Sequence, residues 1–308
     1  MRAELQEAVA LLRQSDEQSV QRALMLLQRT VFSFSMKVCG HREDAEDTMQ
    51  DVLLSSLPHL KKIEDARALS VWLYTAARNR CWRSRKRPSY RKSVALDDLM
   101  PGEAELAALL AVSAQSPEAL AASHQDHQMV HEAVLQLPPP YRIVLVLHDM
   151  EELDTAQVAK VLGLQPGTVR VRLHRARLLV RQQMDQLLRG RPENASPEAV
   201  SSSAAARART PQCREIFGNL SEYLDGRMET RSCNQMQAHI EACPACIAFI
   251  QDLKAAIDRC RKLEIPMESE TGTTLRRVLA EEYLRLIEHT EAAEPAPSRP
   301  SEKNKKHL

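Results

Sequence analysis

The chain has 308 residues, enough for two or three domains, with 42 Lys and Arg against 41 Asp and Glu and a formal net charge of +1. Eight glycines, 4% aromatics and a predominance of Leu, Ala, Glu, Gln and Arg exclude a sheet-rich fold and predict an all-α protein. No apolar run is long enough for a bilayer span and no secretory signal follows Met1, so a cytoplasmic protein with no membrane contact is expected, and its seven cysteines are not expected to build a disulfide scaffold.

The near-zero charge hides an uneven distribution. Acids collect in 43–51 and 97–105, whereas 78–92 (RNRCWRSRKRPSYRK) contains none. In chain order, residues 1–92 read as amphipathic helices ending in that basic run. Asp47, Gln50 and Asp51, with Leu54 after them, lie within about a turn of one another and share a polar helix face. Such a face suits a basic partner, although a solvated helix surface is the plain alternative for this segment alone. Trp72, Tyr74 and Trp82 then supply flat rings among Arg78, Arg80, Arg83, Arg85, Lys86 and Arg87, a combination suited to holding unstacked bases. Trp72 by itself reads as a core residue; Trp82, set among arginines, is the better stacking candidate.

Residues 93–123 are acidic and then Ala-rich, broken by Pro101 and Pro117, and read as a linker. A second helical unit is expected over 124–188. It is interrupted by Leu137-Pro138-Pro139-Pro140 before an apolar run at 143–147, and by Gly163. Its most informative stretch is 154–177, DTAQVAKVLGLQPGTVRVRLHRAR. Val158, Ala159, Val161 and Leu162 predict a short helix stopped by Gly163, and Pro166 opens a second helix. There Val169, Leu173, Ala176 and Val180 form one apolar stripe, while Arg170, Arg172, His174, Arg175, Arg177 and Arg181 make the remainder basic. A helix of this kind fits the major groove: Arg170, His174 and Arg175 are candidates for base edges, and Thr168, Arg172 and Arg177 for phosphates. His124, His127 and His131 mimic a metal set by spacing but read as a solvated face.

Residues 189–212, rich in Pro, Ser and Ala, predict a flexible tether. A third unit follows at 213–265. Its His239, Cys243 and Cys246 form an H-x3-C-x2-C pattern, and residues four apart on a helix face one ion. Zinc needs a fourth nitrogen or sulfur ligand, for which Cys213 and Cys233 are the candidates. A helical pattern returns at 272–290, within a last segment of 266–308 whose tail reads as disordered.

These residues together resemble a family. Leu137-Pro138-Pro139, Tyr141-Arg142, Gly167-Thr168-Val169 and Leu173-His174-Arg175-Ala176-Arg177 are similar to the C-terminal DNA-binding region of extracytoplasmic-function sigma factors, which direct bacterial RNA polymerase to promoters. Asp44-Ala45-Glu46-Asp47, Gln50-Asp51 and Leu54 resemble their helix that docks on the core polymerase. Trp72-Leu73-Tyr74 and Ala77-Arg78-Asn79-Arg80-Cys81 resemble the helix that opens the −10 element. The resemblance covers about residues 10–187. It implies core-polymerase contacts at Asp47, Gln50, Asp51 and Leu54. It further implies −10 contacts at Trp72, Arg78, Asn79, Arg80, Trp82 and Arg83, and −35 contacts in the arginine-rich helix. Leu53 and Arg83 depart from the family, which usually has an aromatic and an acid there. The segment CREIFGNLSEYLDGRM with the His/Cys triad resembles zinc-binding anti-sigma factors. That resemblance implies Zn²⁺ held by Cys213, His239, Cys243 and Cys246, with Cys233 unligated and within reach of a redox exchange.

The expectation is therefore an all-α, non-enzymatic chain: two helical sigma domains joined by a linker, plus a small helical zinc unit touching them within the same molecule. The rival reading is a conventional helix-turn-helix regulator with a zinc or redox sensor. A zinc enzyme ranks below both, because a closed four-ligand site has no open position for substrate.

Overall fold

The computed structural model describes residues 3–14, 16–60, 63, 65–83, 99, 102, 123–188, 211–267 and 272–291. The expected linker core, tether and terminal tail lie outside the described residues. Every regular element among those described is helical.

The N-terminal bundle consists of α1 (Ala3–Leu12), α2 (Glu17–Cys39), α3 (Arg42–Leu60) and α4 (Ala66–Arg83). α1 lies on α2 through Leu5, Ala8, Val9 and Leu12, all buried at helical spacing. Asp16 caps α2 by accepting from the Ser19 N–H at 2.9 Å, and Gly40 ends it in the left-handed region at φ 75°. A Cβ at Gly40 would stand 2.8 Å from Leu135 Cδ2, so this turn also sets how closely the next bundle approaches.

That second bundle is α5 (Ser123–Gln136), α6 (Pro139–Leu145) with a π-helical turn at Val146–Met150, α7 (Thr155–Leu162) and α8 (Pro166–Leu188). Pro139 starts α6 where its missing N–H costs nothing. Asp154 and Gln157 form a reciprocal capping box on α7, and Gly163 ends it at φ 65° before Pro166 starts α8. Val169, Leu173, Ala176 and Val180 are buried as the apolar stripe predicts.

The C-terminal unit comprises α9 (Pro211–Leu224), α10 (Thr230–Ala242) and α11 (Pro244–Lys262), followed by α12 (Thr273–Glu291). α11 lies along α8, the π turn and α5, while α12 lies on α2 and α3 of the N-terminal bundle. Leu279, Ala280, Tyr283 and Ile287 form its buried face. Gln28 Nε2 donates to the Gly272 carbonyl at 3.1 Å where α12 begins. One continuous apolar core runs through both bundles and the C-terminal unit. No described helix is long and apolar enough to cross a membrane.

Candidate nucleic-acid interface and metal centre

α8 has three faces. The apolar stripe faces its own bundle. Arg170, His174, Arg177 and Arg181, spaced i, i+4, i+7 and i+11, make a second stripe that meets the C-terminal unit. Arg170 Nε lies 3.7 Å from Glu222, and Arg181 Nε lies 2.6 Å from Asp252 with its guanidinium 4.5 Å above the Phe249 ring. The His174 ring nitrogen Nδ1 is 2.9 Å from Ser221 Oγ, and the ring stands edge-on to Phe217. Burial, then the nearby Arg177 and Arg175 charges, push His174 down to about 4. Arg227 adds a hydrogen bond to Thr155 at the start of α7.

Arg177 is fully buried. It donates to both Asp149 oxygens at 2.7 Å and to Asp225 Oδ1 at 2.7 Å. Burial works against its charge, but Asp149 and then Asp225 more than offset this and raise its pKa. Burial likewise works to raise Asp149, yet Arg177 and then His148 hold it well below the usual carboxylate range. His174 and Arg177, expected at DNA, thus face the interior in this arrangement. The third stripe, Thr168, Arg172 and Arg175, stays exposed or half-buried beside exposed Arg170 and Val171.

The N-terminal residues divide in the same way. Asp47, Gln50, Asp51 and Leu54 are all exposed along one side of α3. Asp51 pairs with Arg80 at 2.6 Å across two half-exposed side chains. Asn79 is exposed and accepts from Arg78. Arg78 itself reaches the second bundle, donating to the Val161 carbonyl at 2.6 Å, and burial lowers its pKa. Trp72 is half-buried beside His59, consistent with a packing role. Tyr74 is no base platform here: it is fully buried against Phe34, and its hydroxyl donates to Glu151 Oε2 at 2.8 Å. The side chains of Trp82 and Arg83 lie outside the described residues. Cys81 is paired with Cys39 across α2 and α4, with Cα atoms 6.2 Å apart.

The contact between the bundles depends on residues that periodicity gave no reason to single out. Lys37 Nζ meets Glu151 Oε1 at 2.9 Å with both side chains wholly buried, and Tyr74 completes the same carboxylate. Arg142 donates to the carbonyls of Val38, Leu135 and Leu137, closing the ends of two helices at once. The ring of His131 reaches the Met36 carbonyl at 3.1 Å, so it is a bundle contact and not a solvated residue. The one signal for Glu151 is an acid four residues beyond the apolar run at 143–147; Lys37 has none.

At the metal motif, Cys243 sits at the junction where α10 ends and α11 begins, and Cys246 lies in the first turn of α11. Both are half-buried. His239 lies four residues before Cys243, and Cys213 is in the first turn of α9; their side chains are outside the described residues. The three-cysteine, one-histidine donor set fits zinc by its chemistry. Cys233 does not fit as the fourth ligand, because it stands ten residues before Cys243 along α10, roughly 15 Å away at the helical rise. That separation also removes it from direct exchange with a zinc-bound Cys243 thiolate.

Three family models match this chain: sigma-70 region 2 over residues 24–89, sigma-70 region 4 over 127–180, and one described as a zinc-finger over 213–246. The ECF RNA polymerase sigma factor SigL of Mycobacterium tuberculosis is 30% identical over 158 residues, 51% of this chain and 84% of that protein. The ECF sigma factor SigW of Bacillus subtilis is 27% identical over 161 residues, with the same shares of each chain. The sigma-H factor of Pseudomonas aeruginosa is 24% identical over 189 residues, 60% of this chain and 95% of that one. Among solved structures, the sigma factor RpoE of Bartonella quintana, determined with the anti-sigma factor NepR, aligns at a TM-score of 0.37 and 22% identity over 53% of this chain and 94% of that chain.

Proposed function

This chain belongs to the ECF family of RNA polymerase sigma factors, and from that premise we propose that its own C-terminal zinc unit holds its −35-reading helix closed. As a sigma factor it binds the RNA polymerase core and promoter DNA. Its part in transcription is regulatory, with no reaction of its own, and it acts in the cytoplasm. The domains run 1–92 for region 2, 93–123 for the linker, 124–188 for region 4, 189–212 for the tether and 213–265 for the zinc unit.

The observation that carries the proposal is the covered stripe of α8, where Glu222, Asp225 and Asp252 of the zinc unit stand against Arg170, Arg177 and Arg181. In the open state, Arg170 and Arg175 read base edges of the −35 element, with His174 joining them once α9 leaves. Thr168 and Arg172 hold phosphates. Arg177 acts by position: its bidentate pair with Asp149 fixes α8 against the π turn. In region 2, Trp72 supports α4 from within, while Arg78, Asn79, Arg80, Trp82 and Arg83 face the −10 element. Asp47, Gln50, Asp51 and Leu54 dock on the core.

Cys213, His239, Cys243 and Cys246 hold a structural zinc that stabilises a unit too small to fold on its apolar core alone. Metal content and promoter binding test the proposal together. One zinc per chain, and tighter binding of promoter DNA after chelation, are expected. A chain that carries no zinc, or one whose DNA binding chelation leaves unchanged, contradicts it.

A further inference from the structure

Residues 47, 50, 51 and 54 of α3 follow i, i+3, i+4 and i+7 and form a single stripe. Leu54, 50% exposed, is the apolar end of this stripe, one turn beyond Asp51 and two beyond Asp47. The DNA-facing surface is in a mixed condition. Arg78 is engaged by the second bundle and His174 by the zinc unit, whereas Arg170, Arg172, Arg175 and Asn79 stay exposed or half-buried. α12 lies on α2 and α3 through Leu279, Ala280, Tyr283 and Ile287, yet leaves the stripe open. The Asp51–Arg80 pair is half-exposed on both sides, a solvent-screened surface contact that a partner's cation can replace.

Resting on the sigma-factor reading, we infer that the closed chain docks on core RNA polymerase through this α3 stripe without first opening. The zinc unit then controls promoter reading after polymerase is bound, not access to polymerase. The occupant is fixed by the family's partner and by charge: two exposed carboxylates leading to an exposed leucine suit a basic surface with an apolar socket. Closure occupies His174 and Arg78 on the DNA-facing side and leaves the α3 stripe exposed. The closed complex therefore waits at the polymerase, and opening is a step on the enzyme.

The test uses the full chain with purified core polymerase, read by native mass measurement and by run-off transcription from a promoter fragment selected from genomic DNA. The unmodified chain should form a stoichiometric complex that transcribes poorly. Leu54→Asp with Asp47→Arg should weaken core binding by about ten-fold or more with an unchanged melting temperature, since both side chains are exposed. Arg181→Ala with Asp252→Ala should loosen the zinc unit, raising transcription about ten-fold while core affinity stays within about three-fold. A chain that binds core only after this loosening overturns the inference, as does a stripe variant that binds like the parent. If no variant binds core, the sigma-factor reading falls as well; if all bind equally and only transcription changes, the reading stands and the α3 stripe is the wrong surface.

Discussion

Replacing Glu151 by Gln tests how the two bundles are held together. The carboxylate meets Lys37 at 2.9 Å and Tyr74 at 2.8 Å, and all three side chains are buried. Gln keeps the shape and removes the charge, leaving the Lys37 ammonium in the interior without this counter-ion. Breaking a buried pair from one side costs about 3–5 kcal/mol, which is roughly two to four powers of ten in the equilibrium between closed and open chains. Hydrogen–deuterium exchange reads this directly: amides of α4 and α7 on either side of the contact should exchange at least about a hundred-fold faster in Glu151→Gln. The paired change Lys37→Met with Glu151→Leu removes both charges together, and should restore slow exchange to within about ten-fold. Unchanged exchange and melting in Glu151→Gln would refute the reasoning, because the pair would then not be buried between the bundles in solution.

Acid should loosen the zinc unit. The His174 pKa is about 4 in the closed chain against an ordinary 6.5, so between these values the open chain takes up a proton that the closed chain does not. The contribution is complete above about pH 6.5 and declines as pH falls, reaching about 1.4 kcal/mol lost at pH 5.5 and about 3 kcal/mol below pH 4. A melting series over this range should show that slope, and His174→Leu should flatten it. Asp154→Ala removes the α7 capping box and should lower stability by about 1 kcal/mol in a denaturant titration, with an unchanged transition slope. Cys243→Ser should abolish stoichiometric zinc and lower the melting temperature of the zinc unit, measured by calorimetry with and without chelator.

The elements with strong periodicity and clear punctuation were legible in sequence. Gly163 and Pro166 bound the turn between α7 and α8, and the Val169–Leu173–Ala176–Val180 stripe is buried as the 3.6-residue period requires. The pattern over 272–290 becomes α12. What periodicity does not carry is the partner of a polar residue. Arg177 reads as one more rung of a basic ladder until Asp149, 28 residues earlier, is seen to accept from two of its nitrogens. Tyr74 reads as an aromatic in a basic neighbourhood, yet its hydroxyl is bound by a residue 77 positions away. Both contacts arise from the approach of separate bundles, and helical spacing contains no term for that. The position of Cys233 shows the reverse case: once α10 is known to be continuous, ten residues of helix rise decide against it as a zinc ligand.

Run-off transcription with core RNA polymerase, comparing the full chain with one ending at residue 188, tests the central claim most directly. Removing the zinc unit and α12 takes Glu222, Ser221 and Asp252 away from Arg170, His174 and Arg181, so the shortened chain should transcribe more strongly from the same promoter at equal concentration. Equal or lower activity from the shortened chain, with its helical content intact, would contradict control by the zinc unit.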